Sequence, residues 1–412
     1  MRLLVDATTL LSWLDRPPVG TVRVERLVVA DLCQRLTEAE LGFVKVRQGA
    51  FVPVTASQRD AILLLADKPA NAPAEDRGER RGSVVRGVRR SVRRWLETGR
   101  SVPARGDQES AAFDGATDFL TLGHGWDHLD HGRLDALRRR YGLRVHAFVH
   151  DLIAVEHPHF FYEPARADRL RRHHAALCGM AETLIVNSQA TRRALERFIA
   201  AGRLRCPRLH VAPLPTFVTP ATRAAERLPL EIGDEPFVLY VSTLEIRKNH
   251  RLLLRLWSET ARKGQPLPRL VLVGRIGWGV EEALLMLRHD PALRGRVLLL
   301  EDVHDDTLAA LYQRCLFSVY PSYAEGWGMP IAEALSFGKV CVHADNPAQA
   351  EAAQGLMPAL HPDDYVGWQT QIMKLANDPL ARMQLEECVR GNYQSLAPAG
   401  FCSRVCTAIG IS

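Results

Sequence analysis

Residues 315–345, CLFSVYPSYAEGWGMPIAEALSFGKVCVHAD, decide how the chain folds. The run opens on an apolar, strand-like segment, Leu316 to Tyr320. A glycine-broken loop follows, Glu325-Gly326-Trp327-Gly328-Met329. Pro330 stands at a helix start, where its missing N–H would have been unpaired anyway. Ile331, Ala334 and Leu335 recur at helical spacing, Gly338 stops the helix, and Val340 to Val342 read as a second apolar strand. The loop offers free backbone N–H groups at the positive end of a helix, which attract phosphate or another anion. Glu325 and Glu333 flank that anion site. A carboxylate beside phosphate is costly unless it accepts hydrogen bonds from neutral hydroxyls, as on a sugar. The other reading makes both glutamates solvated charges favoured by the helix dipole. Spacing alone leaves the two readings level.

Working outward, strand-like runs alternate with helical patterns almost throughout. The first half shows Leu3–Val5, Phe43–Val46, Ile62–Leu65, Phe119–Leu122, Val145–Val149, Thr183–Val186 and Leu209–Val211. The second shows Phe237–Val241, Leu270–Val273, Val297–Leu300, Leu316–Tyr320 and Val340–Val342. Between the halves, residues 213–236 are rich in proline, lack a strong period and read as a linker. This predicts α/β architecture: two Rossmann-like parallel-sheet domains facing a central cleft, with ligand outside the carboxyl ends of the strands. The expected boundaries are 1–215, 216–390 and 391–412.

A chain of 412 residues exceeds one ordinary core, and 47% hydrophobic with 24% charged residues is a soluble composition. No apolar run reaches the roughly 18 residues that span a bilayer. Met1-Arg2 leads straight into a strand, so no secretory leader is expected. The eight cysteines are scattered without a C-x-x-C pair, and Cys178, Cys315 and Cys341 sit in apolar surroundings. Free buried thiols in a reducing cytoplasm, without structural zinc, are the expectation.

The charge of +6 is concentrated: residues 77–105 hold ten arginines against Glu79 and Glu97, leaving the remainder slightly acidic. That argues against a nucleic-acid surface over the whole protein. Within the insert 67–113, Val84, Val85, Val88, Val92, Trp95 and Leu96 fall on one side of a helix, in an arc of about 120°. Arg86, Arg89, Arg90, Arg93 and Arg94 fall on the other. A helix over 83–96 would suit an anionic membrane surface, or would dock on the protein through Trp95.

Three further places bear on chemistry. Gly20, after the loop from the first strand, lets a backbone approach a ligand at a helix start, or is a simple loop glycine. His150, with Asp151, ends a buried strand at the ligand edge of the sheet; a histidine satisfied by backbone is the plainer reading. Arg247-Lys248-Asn249 precede a helix from His250, and two cations there make a strong anion site if they are not merely solvated. Asn249 is the expected cap of that helix.

These places, in this order, resemble the retaining GT-B glycosyltransferases of family 4. Glu325 and Glu333 match the family's E-x7-E signature, and EGWGMPIAEAL is close to the wording in mannosyltransferases of bacterial surface polysaccharides. The resemblance implies the GT-B fold, with 1–215 as the acceptor domain, 216–390 as the nucleotide-sugar donor domain, and a final helix in 391–412 that crosses back to the first domain. It places His150 and Glu325 on the donor sugar and Glu333 on the ribose. Arg247 and Lys248 fall on the pyrophosphate, beside Gly20 and the turn Gly326-Trp327-Gly328-Met329-Pro330. It places backbone near Val303 on the nucleobase. Many relatives carry an arginine several residues before the lysine; here Ser242 and Thr243 occupy that region, so Arg247 is the substitute. Gln349 to Gln354 resemble the start of a further family helix, whose glutamate would be Glu351.

The implied reaction moves a sugar from a nucleoside diphosphate donor, GDP-mannose first and another GDP- or UDP-sugar next, to a glycan or lipid-linked glycan acceptor, with retention. His150, Lys248 and Glu325 are the expected catalytic residues. No cofactor is expected, and no D-x-D motif offers to hold a metal. A cytoplasmic enzyme, peripheral on the inner face of the membrane, would fit. The alternatives are a sugar-nucleotide epimerase of the same fold and a non-catalytic, membrane-associated subunit of a polysaccharide assembly complex.

Overall fold

The computed structural model describes residues 1–14, 20–66, 106–225, 228–265 and 267–411. The chain divides into two compact units: Met1–Glu156, Ala165–Leu214 and Pro398–Ser412 form the first, and His157–Pro164 with Pro215–Ala397 the second.

The first unit is built on a seven-stranded sheet. Its strands are β1 (Leu3–Asp6), β2 (Leu41–Arg47), β3 (Ala50–Pro53), β4 (Asp118–Thr121), β5 (Arg144–Val149), β6 (Thr183–Val186) and β7 (Arg208–Val211). They lie in the order β3-β2-β1-β4-β5-β6-β7, all parallel except the β2–β3 hairpin. β1, β4 and β6 are buried at every position, as parallel strands covered on both faces must be. The helix Gly20–Arg35 lays Val22, Val28, Val29 and Leu32 against the core. The helix Pro398–Ala408 belongs to this unit too, with Phe401 edge-on to Phe148 and Cys402 Sγ 3.8 Å from the Leu27 carbonyl.

Sequence reading went astray at two places here. Ile62–Leu65, expected as a strand, lies in the helix Ala56–Ala66. Thr55 and Gln58 start that helix as a reciprocal cap: each side chain hydrogen-bonds the other's backbone N–H, at 3.3 and 3.0 Å. The strand β3 was missed. Its turn, Gln48-Gly49, has φ of 51° and 77°, the paired positive values of a tight hairpin turn. Of the insert 67–113, Gly106–Phe113 is a helix whose last residue is fully buried, stacked on Phe119 with ring centroids 6.3 Å apart. The amphipathic stretch 83–96 lies outside the described residues.

The second unit carries a six-stranded, wholly parallel sheet. Its strands are β8 (Phe237–Val241), β9 (Arg269–Val273), β10 (Val297–Leu300), β11 (Phe317–Tyr320), β12 (Cys341–Ala344) and β13 (Ala359–Leu360). The order β10-β9-β8-β11-β12-β13 reverses direction between β8 and β11, the point at which doubly wound sheets open a crevice for ligand. The stretch 213–236 is more than a bare linker. Phe217, Val218 and Ile232 are buried, and the N–H groups of Thr216 and Ala225 donate to Leu396 and Asp306 carbonyls at 3.1 and 2.9 Å.

None of the eight cysteines forms a disulfide, and Cys178, Cys315 and Cys341 are buried. Among the described residues no helix is long and apolar enough to cross a membrane.

Candidate active site

The loops leaving β8 and β11 meet where the second sheet reverses its order. The β8 loop is braced by the loop leaving β9. Ser242, Leu244 and Ile246 donate backbone N–H groups to Val273, Arg275 and Trp278, at 2.9, 2.8 and 3.0 Å. This interlocking requires Gly274: its φ is +153°, and a Cβ there would lie 1.9 Å from the Ser242 carbonyl oxygen. The chain then makes a short 3-10 turn, Ile246–Lys248, and Asn249 turns left-handed (φ 56°) into the helix His250–Arg262. The Asn249 side chain does not cap that helix as expected, because it donates to the Pro362 carbonyl at 2.9 Å.

This turn aims two cations at Glu325. Lys248 Nζ donates to Glu325 Oε1 at 2.5 Å and to the Tyr320 hydroxyl at 2.8 Å. Arg247 Nη1 is 2.9 Å from Glu325 Oε2, its Nε is 2.6 Å from Glu245 Oε1, and Nη1 also donates to the Ala324 carbonyl at 2.6 Å. Ser322 donates to Glu325 Oε1 at 2.5 Å. From behind, the Tyr240 hydroxyl donates to the Lys248 carbonyl at 2.6 Å. Two guanidinium or ammonium groups thus face two carboxylates, and the cluster is charge-balanced.

Burial works against both sides of this cluster. It would raise the Glu325 carboxyl, but Arg247, Lys248 and Ser322 outweigh it and hold the group down to about 2. Lys248 is pushed below the usual lysine value by burial and by Arg247, with Glu325 and Glu245 opposing. Burial and Lys248 take His250 down to about 3, so this imidazole is neutral. It sits 3.2 Å from Ser242 Oγ.

Glu333 is held separately. It is 6% exposed on the helix Met329–Ser336, and the Tyr312 hydroxyl donates to its Oε2 at 3.0 Å. Gly328 starts the helix, with space for no side chain beyond contact with Ile331 and Ala352. Pro330 occupies its first turn. Trp327 is buried, and its Nε1 has no hydrogen-bond partner among the described residues. Thr243 is exposed on the β8 loop; Val303 is half-buried after β10, two strands from β8. The helix after Val303 runs from Asp305 to Arg314, with His304 in the capping position.

Residues 223–387 match the family described as "Glycosyl transferases group 1". That match lies wholly within the second unit. The fold is GT-B: Anabaena Alr3699/HepE, solved in complex with UDP and glucose, superimposes with a TM-score of 0.62 at 14% identity, over 99% of both chains. Sucrose-phosphate synthase from Thermosynechococcus elongatus gives 0.62 at 15%, over 99% of this chain and 98% of that one. Among curated proteins, the Escherichia coli serotype-specific mannosyltransferase WbdA is 33% identical over 130 residues, 32% of this chain and 16% of WbdA. The Escherichia coli O-antigen chain mannosyltransferase B is 35% identical over 118 residues, 28% of this chain and 31% of that protein. The chain therefore spans well under half the length of these relatives.

Gly20 and His150 lie in the other unit of this GT-B chain. Gly20 is the first residue of the helix Gly20–Arg35. His150 is buried at the end of β5 and donates from Nε2 to the Leu122 carbonyl at 2.8 Å, the plainer reading from sequence. Burial lowers its affinity for a proton, so the ring is neutral with Nδ1 left as acceptor. The Asn187 side chain donates to the His150 carbonyl at 2.7 Å.

The second unit also uses residues in roles that sequence reading did not assign. Gln349, wholly buried, accepts from the Ala344 N–H at 3.0 Å and donates to the Ser322 carbonyl at 2.7 Å, tying the β12 end to the Glu325 loop. The segment His157–Pro164 packs with the second unit although it interrupts the first in sequence. Trp278 Nε1 donates to the Phe160 carbonyl at 2.9 Å, Phe161 stacks on Trp278, and Phe160 lies 5.7 Å from Tyr323. Trp278 and Tyr323 belong to the two loops that bracket Arg247, since the Tyr323 N–H donates to the Arg247 carbonyl at 2.8 Å. Only the aromatic run Phe160-Phe161-Tyr162 hinted at this anchor.

Proposed function

We propose that the protein is a retaining family 4 glycosyltransferase that moves a hexose, mannose first, from a nucleoside diphosphate to a glycan acceptor in bacterial surface polysaccharide synthesis. The observation that carries the proposal is the contact of Arg247 and Lys248 with Glu325 at the reversal point of the second sheet. When a glycosidic bond to diphosphate breaks, negative charge grows on the leaving oxygens. Two fixed cations and the helix start at Gly328–Pro330 would meet that charge where it develops. The proposal calls for no cofactor.

Glu325 and Glu245 balance the two cations. Donor phosphate would compete for Arg247 and Lys248, freeing Glu325 to accept hydrogen bonds from sugar hydroxyls. Glu333, presented by Tyr312 one helical turn further on, would accept from the ribose. The Trp327 N–H is available to a ligand oxygen. His150 Nδ1 would accept from a hydroxyl of the donor sugar. The departing phosphate oxygen itself would take the acceptor's proton, so no dedicated carboxylate base is called for. The names of the Escherichia coli mannosyltransferases support mannose, and GDP as its carrier is the first nucleotide to test.

The test is a thermal-shift panel of GDP- and UDP-sugars, followed by product analysis with an α-mannoside acceptor. The proposal expects one nucleotide sugar to stabilise the protein and to yield an α-linked product only when acceptor is present. Conversion of the donor to an epimer without acceptor, or no response to any nucleotide sugar, would overturn it.

A further inference from the structure

The second sheet ends on one side at β10, whose only strand partner among the described residues is β9. The Leu270 and Gly274 N–H groups donate to the Arg296 and Leu300 carbonyls at 2.8 and 2.9 Å, so alternate residues from Arg296 to Leu300 face β9. The N–H and C=O groups of Val297 and Leu299 therefore point out of the sheet. All four strand residues, Val297-Leu298-Leu299-Leu300, are apolar and only half-buried. Such an edge is open to another strand unless lysine, proline or an inward-pointing charge blocks it. β10 carries neither charge nor proline, and only its shortness guards it.

The helix beside this edge is no better covered. Glu281–His289 joins β9 to β10, so it lies over that side of the sheet, and it packs against the helix His250–Arg262. A surface helix normally buries an apolar stripe. Here Ala283 alone is buried; Leu284, Met286 and Leu287 are half-buried, and Leu285 is 57% exposed. Strand and helix together present an apolar band about 13 Å long, from the rise per residue of each element.

Charge divides the two ends of the band. At the amino end of β10, Arg294 and Arg296 are exposed. The helix runs the opposite way and brings exposed Arg288 and His289 to the same end. The carboxyl end of β10 carries Glu301 and Asp302, and the helix start beside it carries Glu281 and Glu282, all exposed. Arg251 and Arg275 each reach one of these carboxylates, Glu282 at 3.2 Å and Asp302 at 3.1 Å, which leaves the end acidic. A surface that is basic at one end, apolar between and acidic at the other complements itself when turned end for end. A twofold axis at β10 does this. Two β10 strands then run antiparallel, and Val297 and Leu299 of one exchange hydrogen bonds with Leu299 and Val297 of the other. In that register, centred on Leu298, Arg294 stands opposite Asp302 of the second copy. A nucleic acid or an anionic membrane would instead meet charge of both signs here.

We propose that two copies of the chain associate at this edge, through antiparallel β10 strands and the helices beside them, as a symmetric dimer. The proposal rests on the second unit alone and does not depend on the transfer reading. The test is sedimentation velocity on the full chain, at concentrations reaching the upper micromolar range, because a band this short makes a reversible dimer. Wild type should pass from monomer to dimer and no further, since a twofold contact closes on itself. Leu299→Pro removes an outward N–H without taking a bond from β9, and Leu285→Lys puts charge at the exposed helix position. Each should weaken association by about tenfold or more. Reversing the basic end, with Arg294→Glu and Arg296→Glu together, should abolish self-association. So should reversing the acidic end, with Glu301→Lys and Asp302→Lys together. Mixing the two reversed proteins should restore a dimer containing one of each. Circular dichroism checks that every variant is folded. The proposal fails if wild type stays monomeric throughout or grows into open chains. It fails equally if the variants associate as wild type does, or if the mixture of reversed proteins stays monomeric.

Discussion

Glu325→Gln keeps the shape of the side chain and removes one of four clustered charges. The carboxylate is 9% exposed and touches Lys248 Nζ at 2.5 Å and Arg247 Nη1 at 2.9 Å. Its drop from an unfolded value near 4.3 to about 2 is worth about 3 kcal/mol, at about 1.4 kcal/mol per unit. Removing one partner of a buried ion pair costs about 3–5 kcal/mol by a separate line of experience, so the two figures agree. The variant should therefore lose about 3 kcal/mol in the unfolding of the second unit, followed by urea titration. A carboxyl depressed on folding stabilises above its unfolded value, and that contribution fades as pH falls from about 4 towards 2. The gap between variant and wild type should therefore close at acid pH. Nucleoside diphosphate supplies the missing negative charge, so it should stabilise the variant more than the wild type. A variant within about 1 kcal/mol of wild type, the range of exposed ion pairs, would refute the reasoning. So would equal stabilisation of both proteins by the nucleotide.

Three other perturbations test separate parts of the structure. Glu25 is wholly buried in the first unit, and burial, then Asp6, hold its carboxyl well above the usual range. The native state thus keeps a proton that the unfolded chain loses above about pH 4.3, and stability falls by about 1.4 kcal/mol per pH unit beyond it. Glu25→Gln should gain on wild type in melting temperature between pH 5 and pH 7; parallel curves would contradict this. Gly274→Ala places a Cβ 1.9 Å from the Ser242 carbonyl oxygen, so it should abolish nucleoside diphosphate binding measured by calorimetry; retained affinity would show that the two loops give way. Trp278→Phe removes the 2.9 Å bond to the Phe160 carbonyl but keeps a ring for Phe161. Loss of about 1 kcal/mol predicts a roughly fivefold rise in donor KM, with the acceptor KM unmoved; an unchanged donor KM would leave the 157–164 segment without a positioning role.

Strand positions were legible where a short apolar run is buried on both faces, as in Phe237–Val241 and Thr183–Val186. The same signal misled at Ile62–Leu65, because four apolar residues fit a buried strand or a helix face equally well. The Thr55–Gln58 cap, which settles the matter, is a pair of polar residues upstream. Lys248 and Glu325 were each readable as ligand-edge residues, but not their mutual contact. That contact depends on strands β8 and β11 being neighbours across 77 residues of chain, which only the sheet order discloses. Gln349 and the Trp278–Phe160 anchor were invisible for a similar reason: their meaning lies in backbone carbonyls of distant loops.

The central claim is that Arg247 and Lys248 receive the departing diphosphate. Its most direct test is donor-dependent release of nucleoside diphosphate by wild type and Lys248→Ala, under conditions where circular dichroism shows both folded. The account predicts that release falls by orders of magnitude in the variant. Release near the wild-type rate would contradict it.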